Sequence, residues 1–186
     1  MKSLFTAALA GLAGVAAMTP AIAGTYSVGN SYARDCWQAA HTRDHDTNAL
    51  YHCNLALEQE GLDSANRAAT LVNRGVLYMR NRDYSSADRD FKRAVSANVN
   101  NPEAYLNMAI SRLQRNENDT SMMPWIEKAL ALNTEEQALA YYSRGVLNER
   151  NGAIRQAYYD YLKAHELAPE WDEPTRDLAR YKVVKK

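Results

Sequence analysis

The chain is short of helix-interrupting residues, with eight glycines and five prolines among 186 residues. They form no low-complexity tract, which argues against a disordered or fibrous chain. Charge of either sign is not in excess. The 22 basic residues equal the 22 acidic ones, so a balanced surface gives no electrostatic case for nucleic acid or an anionic membrane. GxSxG, the phosphate-binding P-loop, CxxC and HExxH are all missing. The familiar spacings for a serine nucleophile, a nucleotide phosphate, a dithiol or a catalytic zinc are therefore not present. Long apolar runs are scarce too. The one that stands out, Leu4 to Met18, is too short and too rich in Ala and Gly to span hydrocarbon well.

That run has another reading. In "MKSLFTAALAGLAGVAAMTPAIAG", Lys2 precedes the apolar stretch and Ala21-Ile22-Ala23 closes it with small residues around a cleavage point. This is the layout of a secretory signal peptide, residues 1–23, cut after Ala23. The mature chain would be Gly24 to Lys186, 163 residues, with 21 basic and 22 acidic once Lys2 is gone. No cysteine sits at the cleavage point, which argues against lipidation. The style of the leader and the lack of eukaryotic features point to a bacterial cell envelope, periplasmic or secreted. Cys36 and Cys53 are the two cysteines. An even count outside the cytoplasm favours a disulfide over metal binding or catalysis.

Ala, Leu, Arg, Glu and Gln dominate the rest, as in helices. Arg74-Gly75-Val76-Leu77 comes back seventy residues later as Arg144-Gly145-Val146-Leu147. With Ala68 as position 1, Leu71, Gly75, Tyr78, Ala87, Phe91 and Ala94 fall at 4, 8, 11, 20, 24 and 27. From Pro102, Tyr105 takes position 4 and Ala109 position 8; one extra residue in "NENDTS" brings Ile126 to 24 and Ala129 to 27. A further inserted residue near Gln137 precedes the last unit. From Ala138, Tyr141, Gly145, Ala157, Tyr161, Ala164 and Pro169 fall at 4, 8, 20, 24, 27 and 32.

This pattern resembles the tetratricopeptide repeat, a 34-residue helix–turn–helix unit. The resemblance implies an all-α, right-handed solenoid of antiparallel helix pairs. A small residue at 8 and Ala at 20 let two helices approach, and the aromatic at 24 fills the space beside them. One pair cannot bury its apolar face alone, so pairs stack. The units would be 68–101, 102–137 and 138–171. The chain departs from the family at position 7, where Arg74 and Arg144 replace Leu, and at position 32, where Val99 and Thr134 replace Pro.

A fainter pair, 31–63, precedes them. Ala49, Cys53 and Ala56 keep the 20, 24, 27 spacing. That register puts Cys36 at position 7, facing position 24, which again favours a Cys36–Cys53 bond. Trp37 then falls where a small residue belongs, so either the register is off by one or the pair is splayed. A flexible N-terminus is expected over 24–30, and a capping helix with a tail over 172–186, starting near Pro174.

Little chemistry is legible. His41 and His45, with Asp44 and Asp46, could hold a metal only on a helix, and they fall in an expected turn with no third ligand. His52 beside Cys53 points away from it on a helix. The tyrosines of "AYYDY", 157–161, read as core at helical spacing. No enzyme, cofactor or metal is expected. Binding remains. The resemblance implies a concave groove lined by the first helix of each pair. It would present Asn73, Val76, Met79 and Arg80; then Glu103, Leu106, Asn107, Ile110 and Gln114; then Leu139, Tyr142, Ser143, Val146, Glu149 and Arg150. Position 6 is Asn73, Asn107 and Ser143, a polar row able to pair with the backbone of an extended peptide. Val76, Leu106, Ile110 and Val146 would form an exposed aliphatic stripe beside it. The family's two-carboxylate clamp needs basic residues at positions 5 or 2 and an asparagine at 9, where Val72, Leu139 and Val76 stand instead, so that mode is excluded. The expectation is a cell-envelope adapter holding a protein or peptide segment in the groove. The alternative is a scaffold that self-associates through its convex face or open ends.

Overall fold

The computed structural model describes residues 4–7, 31–42, 48–115 and 120–184. Among them the helices come in antiparallel pairs. They are α1 (Tyr32–His41) with α2 (Ala49–Gln59), α3 (Ser64–Arg80) with α4 (Tyr84–Ala97), α5 (Pro102–Gln114) with α6 (Met123–Ala131), and α7 (Gln137–Arg150) with α8 (Ile154–Leu167). A short α9 (Asp172–Leu178) closes the stack. The fold is an all-α helical-repeat solenoid. The expected flexible segment 24–30, most of the expected leader, and His45 with Asp44 and Asp46 lie outside the described residues.

Local chemistry explains the element ends. Ser31, Asp63, Asp83 and Asn101 each accept a hydrogen bond from a first-turn backbone N–H of α1, α3, α4 and α5. These N-caps satisfy donors the helix cannot. Pro102 sits in the first turn of α5, where a missing N–H costs nothing. In the turns α3–α4 and α7–α8 the chain passes through the left-handed region at Arg82 (φ 60°) and Gly152 (φ 75°). Both are position 15 of their units, and only the second carries the residue that region favours.

The pairs close as the repeat pattern demands. A Cβ on Gly75 would collide with the Phe91 ring, and one on Gly145 would lie 2.8 Å from ring carbons of Tyr161. The two glycines are thus required by close approach, and Ala87, Ala94, Ala157 and Ala164 are fully buried around them. One continuous apolar core runs from Leu57 to Tyr181, with a satellite around the first pair.

In that first pair Cys36 and Cys53 are bonded, with Cα atoms 4.7 Å apart. Cys36 meets Cys53 where Gly75 meets Phe91, so Cys36 occupies the small position and the N-terminal register shifts by one. Trp37 then turns outward and packs on His41 at 4.0 Å between centroids.

The residues at position 7 also have a reason. Arg74 donates from Nε and Nη2 to both oxygens of Asp90, at 2.6 and 2.8 Å, and from Nη1 to Asn54 at 2.7 Å. Arg144 does the same to Asp160, with its shortest contact at 2.6 Å. Both aspartates are buried. Unit 102–137 has Met108 and Trp125 at these places, and Arg112 stacks over Trp125 at 4.7 Å.

At the C-terminal end, where a capping helix with a tail is expected over 172–186, the helix is short. α9 stops at Leu178 and the chain continues as strand β2 (Tyr181–Val184), which pairs antiparallel with β1 (Leu4–Ala7), Leu4 opposite Val184 and Ala7 opposite Tyr181. Val183-Val184 favours strand over helix. Four residues of the segment read as a leader therefore sit in this ribbon.

Candidate functional site

The first helices α3, α5 and α7 pack side by side and form the inner face. Their inward residues separate into three groups. The first is aliphatic. Val76, Leu106 and Ile110 are fully buried and belong to the continuous core, and only Val146 is part-exposed. This corrects the expectation of an exposed aliphatic stripe. Membership of that core accounts for the burial of Val76, Leu106 and Ile110, and Val146 packs against it.

The second group has structural partners. Arg80 donates from Nη1 to the Ala39 and Thr42 carbonyls, at 3.0 and 2.9 Å. It thereby caps the C-terminal end of α1, where orphan carbonyls favour a cation. Tyr142 is 7% exposed, packs against Trp171 with its ring tilted, and donates its hydroxyl to Asp177 Oδ2 at 2.7 Å. Burial, with the neighbouring Asp177 carboxylate, pushes its pKa up. Arg80 and Tyr142 therefore anchor the two ends of the stack, in place of the ligand contacts expected of them. Gln114 and Arg150 stay part-exposed, and burial lowers the Arg150 pKa.

The third group is the position-6 row. Asn73, Asn107 and Ser143 are 2%, 0% and 0% exposed. Asn107 Nδ2 donates to the Glu103 carbonyl one turn back, at 2.9 Å. Asn73 Oδ1, Asn107 Oδ1 and Ser143 Oγ are buried with no hydrogen-bond partner among the described residues. A buried polar atom left unmatched costs about 1–3 kcal/mol, so three at equivalent positions demand an explanation. Asn73 also lines a cleft of about 390 Å³ between α1 and the start of α3, bounded by Trp37, Glu60, Leu62, Asn66 and Thr70.

Beside Asn107, Glu103 is 3% exposed. Its Oε1 accepts from Thr134 Oγ1 at 2.8 Å and from the Glu135 N–H at 3.0 Å, which ties α5 to the turn before α7. Its Oε2 has no partner among the described residues. Burial pushes this carboxyl up to about 7 against the lowering effect of those two hydrogen bonds, with Glu136 and Glu135 adding to the rise. Sequence reasoning placed Glu103 in the groove but gave it no role. The signal was available: a carboxylate four residues before the row's central Asn.

Among the described residues no group of three or more His, Cys, Asp or Glu could hold a metal, and no helix is long and apolar enough to cross a membrane.

Comparison with known proteins defines the class. No protein-family model and no curated protein matches the sequence. Solved structures do. The first tetratricopeptide domain of Spaghetti (RPAP3) bound to the HSP90 peptide SRMEEVD superposes with a TM-score of 0.58 at 25% identity, covering 65% of this chain and 94% of that one. The first such domain of human RPAP3 gives 0.56 at 24%, covering 61% and 88%. A MamA RS-1 double mutant gives 0.62 at 20%, covering 82% and 83%. The chain thus has a tetratricopeptide-like fold, built as the repeat pattern implied.

Proposed function

We propose that this protein is a non-catalytic interaction module that holds an extended protein segment along its inner face. The observation that carries the reading is the row Asn73, Asn107, Ser143, whose three oxygens have no donor among the described residues, with Asn73 lining the cleft beside α1. An extended chain offers backbone N–H groups on one edge, whatever its side chains, and can satisfy such a row. The solved relative with a bound HSP90 peptide supports peptide capture by this fold. The clamp for an acidic C-terminus does not transfer, because Val72 and Leu139 are buried aliphatics where cations would be needed, and Val76 is one where an asparagine would be.

The module acts outside the cytoplasm, as an adapter in the cell envelope. The leader-like start and the Cys36–Cys53 bond support this, since disulfides persist in oxidising compartments.

The test uses a degenerate pool of extended nonapeptides and the same pool with N-methylated backbone amides. Retention of the first pool and loss of the second is the expected result. The Asn73→Ala/Asn107→Ala variant, with unchanged helical content, should retain neither. Equal retention of both pools would remove the backbone-pairing reading. Concentration-dependent growth in size without peptide retention would favour self-assembly.

A further inference from the structure

We propose that the cleft between α1 and α3 seats one aromatic side chain of the held segment, with Asn73 taking that residue's backbone N–H; this rests on the peptide-binding reading above. Asn73 is 2% exposed and lines the cleft, and its Oδ1 has no donor among the described residues. The other polar side chains of the lining already have partners. Both Glu60 oxygens accept from the first turn of α1, at the Tyr32 and Ala33 N–H groups. Ser31 Oγ accepts from the Arg34 N–H, Asn66 Nδ2 donates to Asp63, and the Thr70 hydroxyl donates to the Asn66 carbonyl. An entering group therefore meets an unmatched amide oxygen, and a neutral backbone N–H is its match.

The rest of the lining is apolar. Trp37 and Ala33 come from α1, Leu62 from the turn before α3, and Ala69 from α3 itself. Trp37 is part-exposed and held against His41, with 4.0 Å between ring centroids. Ala33 and Ala69 are short, so the indole faces open space. At about 390 Å³ the cleft falls within the roughly 300–1,000 Å³ of ligand pockets, room for a ring with its own peptide group. An aromatic side chain gains there twice, from area removed from water and from ring-on-ring contact with Trp37. The wall is also fixed in advance. Cys36, next to Trp37, is bonded to Cys53, and Arg80 of α3 holds the Ala39 and Thr42 carbonyls at the far end of α1. A site held in shape before binding loses less on ordering. The stapled first pair thus has a part in binding as well as in closing the stack.

Nonapeptide pools with Phe, Leu, Ala or Lys fixed at the centre, and flanks free of aromatic residues, test this on the full, unaltered chain. The Phe pool should be retained about tenfold better than the Ala pool, with Leu between them and Lys no better than Ala. Trp37→Ala removes the ring wall and should erase the advantage of Phe over Leu. Ala33→Leu fills the space while leaving Asn73 in place, and should level all four pools. Both variants are read only with unchanged helical content. Equal retention of the four pools by the unaltered chain would overturn the aromatic seat and leave backbone pairing standing. Retention of none would overturn both. A Phe preference that persists in both folded variants would overturn this cleft as its seat.

Discussion

Cutting the Arg74–Asp90 pair should cost far more than replacing it. The pair is bidentate, with Arg74 and Asp90 side chains 12% and 4% exposed, so solvent screens it little. Burial alone would lower the guanidinium's pKa, yet the hydrogen bond and charge of Asp90 raise it, so Arg74 stays charged. Asp90→Ala leaves that cation buried without its partner, and Arg74→Leu strands the carboxylate. Each should cost about 3–5 kcal/mol, the range for breaking one half of a buried pair. Arg74→Leu also gives up the bond to Asn54 on α2. Replacing both with Leu removes two charges that had to be desolvated, and should fall within about 1 kcal/mol of the original. The two single losses together then exceed the double loss by at least about 5 kcal/mol. The equivalent Arg144–Asp160 pair is more open, at 27% and 8%, and Asn148 also donates to Asp160, so its coupling should be smaller. Solenoids need not unfold in two states, so amide exchange of α3 and α4 should accompany urea titration. Additive single and double losses, with coupling below about 0.5 kcal/mol, would refute the reasoning.

Further outcomes follow from the same geometry. Gly75→Ala and Gly145→Ala should each lose about 1–2 kcal/mol on thermal melting, because overpacking against Phe91 and Tyr161 outweighs the better helix propensity of Ala. Gly61→Ala, with nothing within 4 Å, should leave the melting temperature nearly unchanged. Reduction of Cys36–Cys53, which closes a separation of 17 residues, should cost about 3 kcal/mol, with faster amide exchange confined to α1 and α2. Glu103 has a folded pKa raised from 4.5 to about 7, so the folded chain holds this proton after the unfolded chain has released it. Its contribution is intact below about pH 4.5 and is lost as pH rises to about 7, by up to roughly 3 kcal/mol. Glu103→Gln should flatten that decline in pH-dependent urea titrations.

Helix pairing was legible because it depends on size at fixed spacing. Gly75 with Phe91 and Gly145 with Tyr161 are small–large pairs sixteen residues apart, and one chain carries both. The Arg–Asp pairs were equally readable, since Arg74–Asp90 and Arg144–Asp160 keep that same spacing. Their value was missed because each residue alone reads as a solvated surface charge. The N-terminal register slipped by one because the Cys36–Cys53 separation is one longer than in the other pairs. The inner face was the hardest part. Periodicity says which side of α5 Leu106 and Ile110 occupy, but the furrows between first helices decide whether they are covered. Glu103, two residues into α5, reads from sequence as an ordinary first-turn acid favoured by the helix dipole. Only packing against Thr134 reveals it as buried.

Site-resolved photocrosslinking in the native cell tests the central claim most directly. A benzophenone amino acid would replace Gln114 or Arg150 on the inner face, and Lys92 or Arg93 on the exposed side of α4. Crosslinks to a separate protein from the inner positions alone are the result this account predicts. Crosslinks from the α4 positions, with none from Gln114 and Arg150, would contradict it and place the interface on the outer surface.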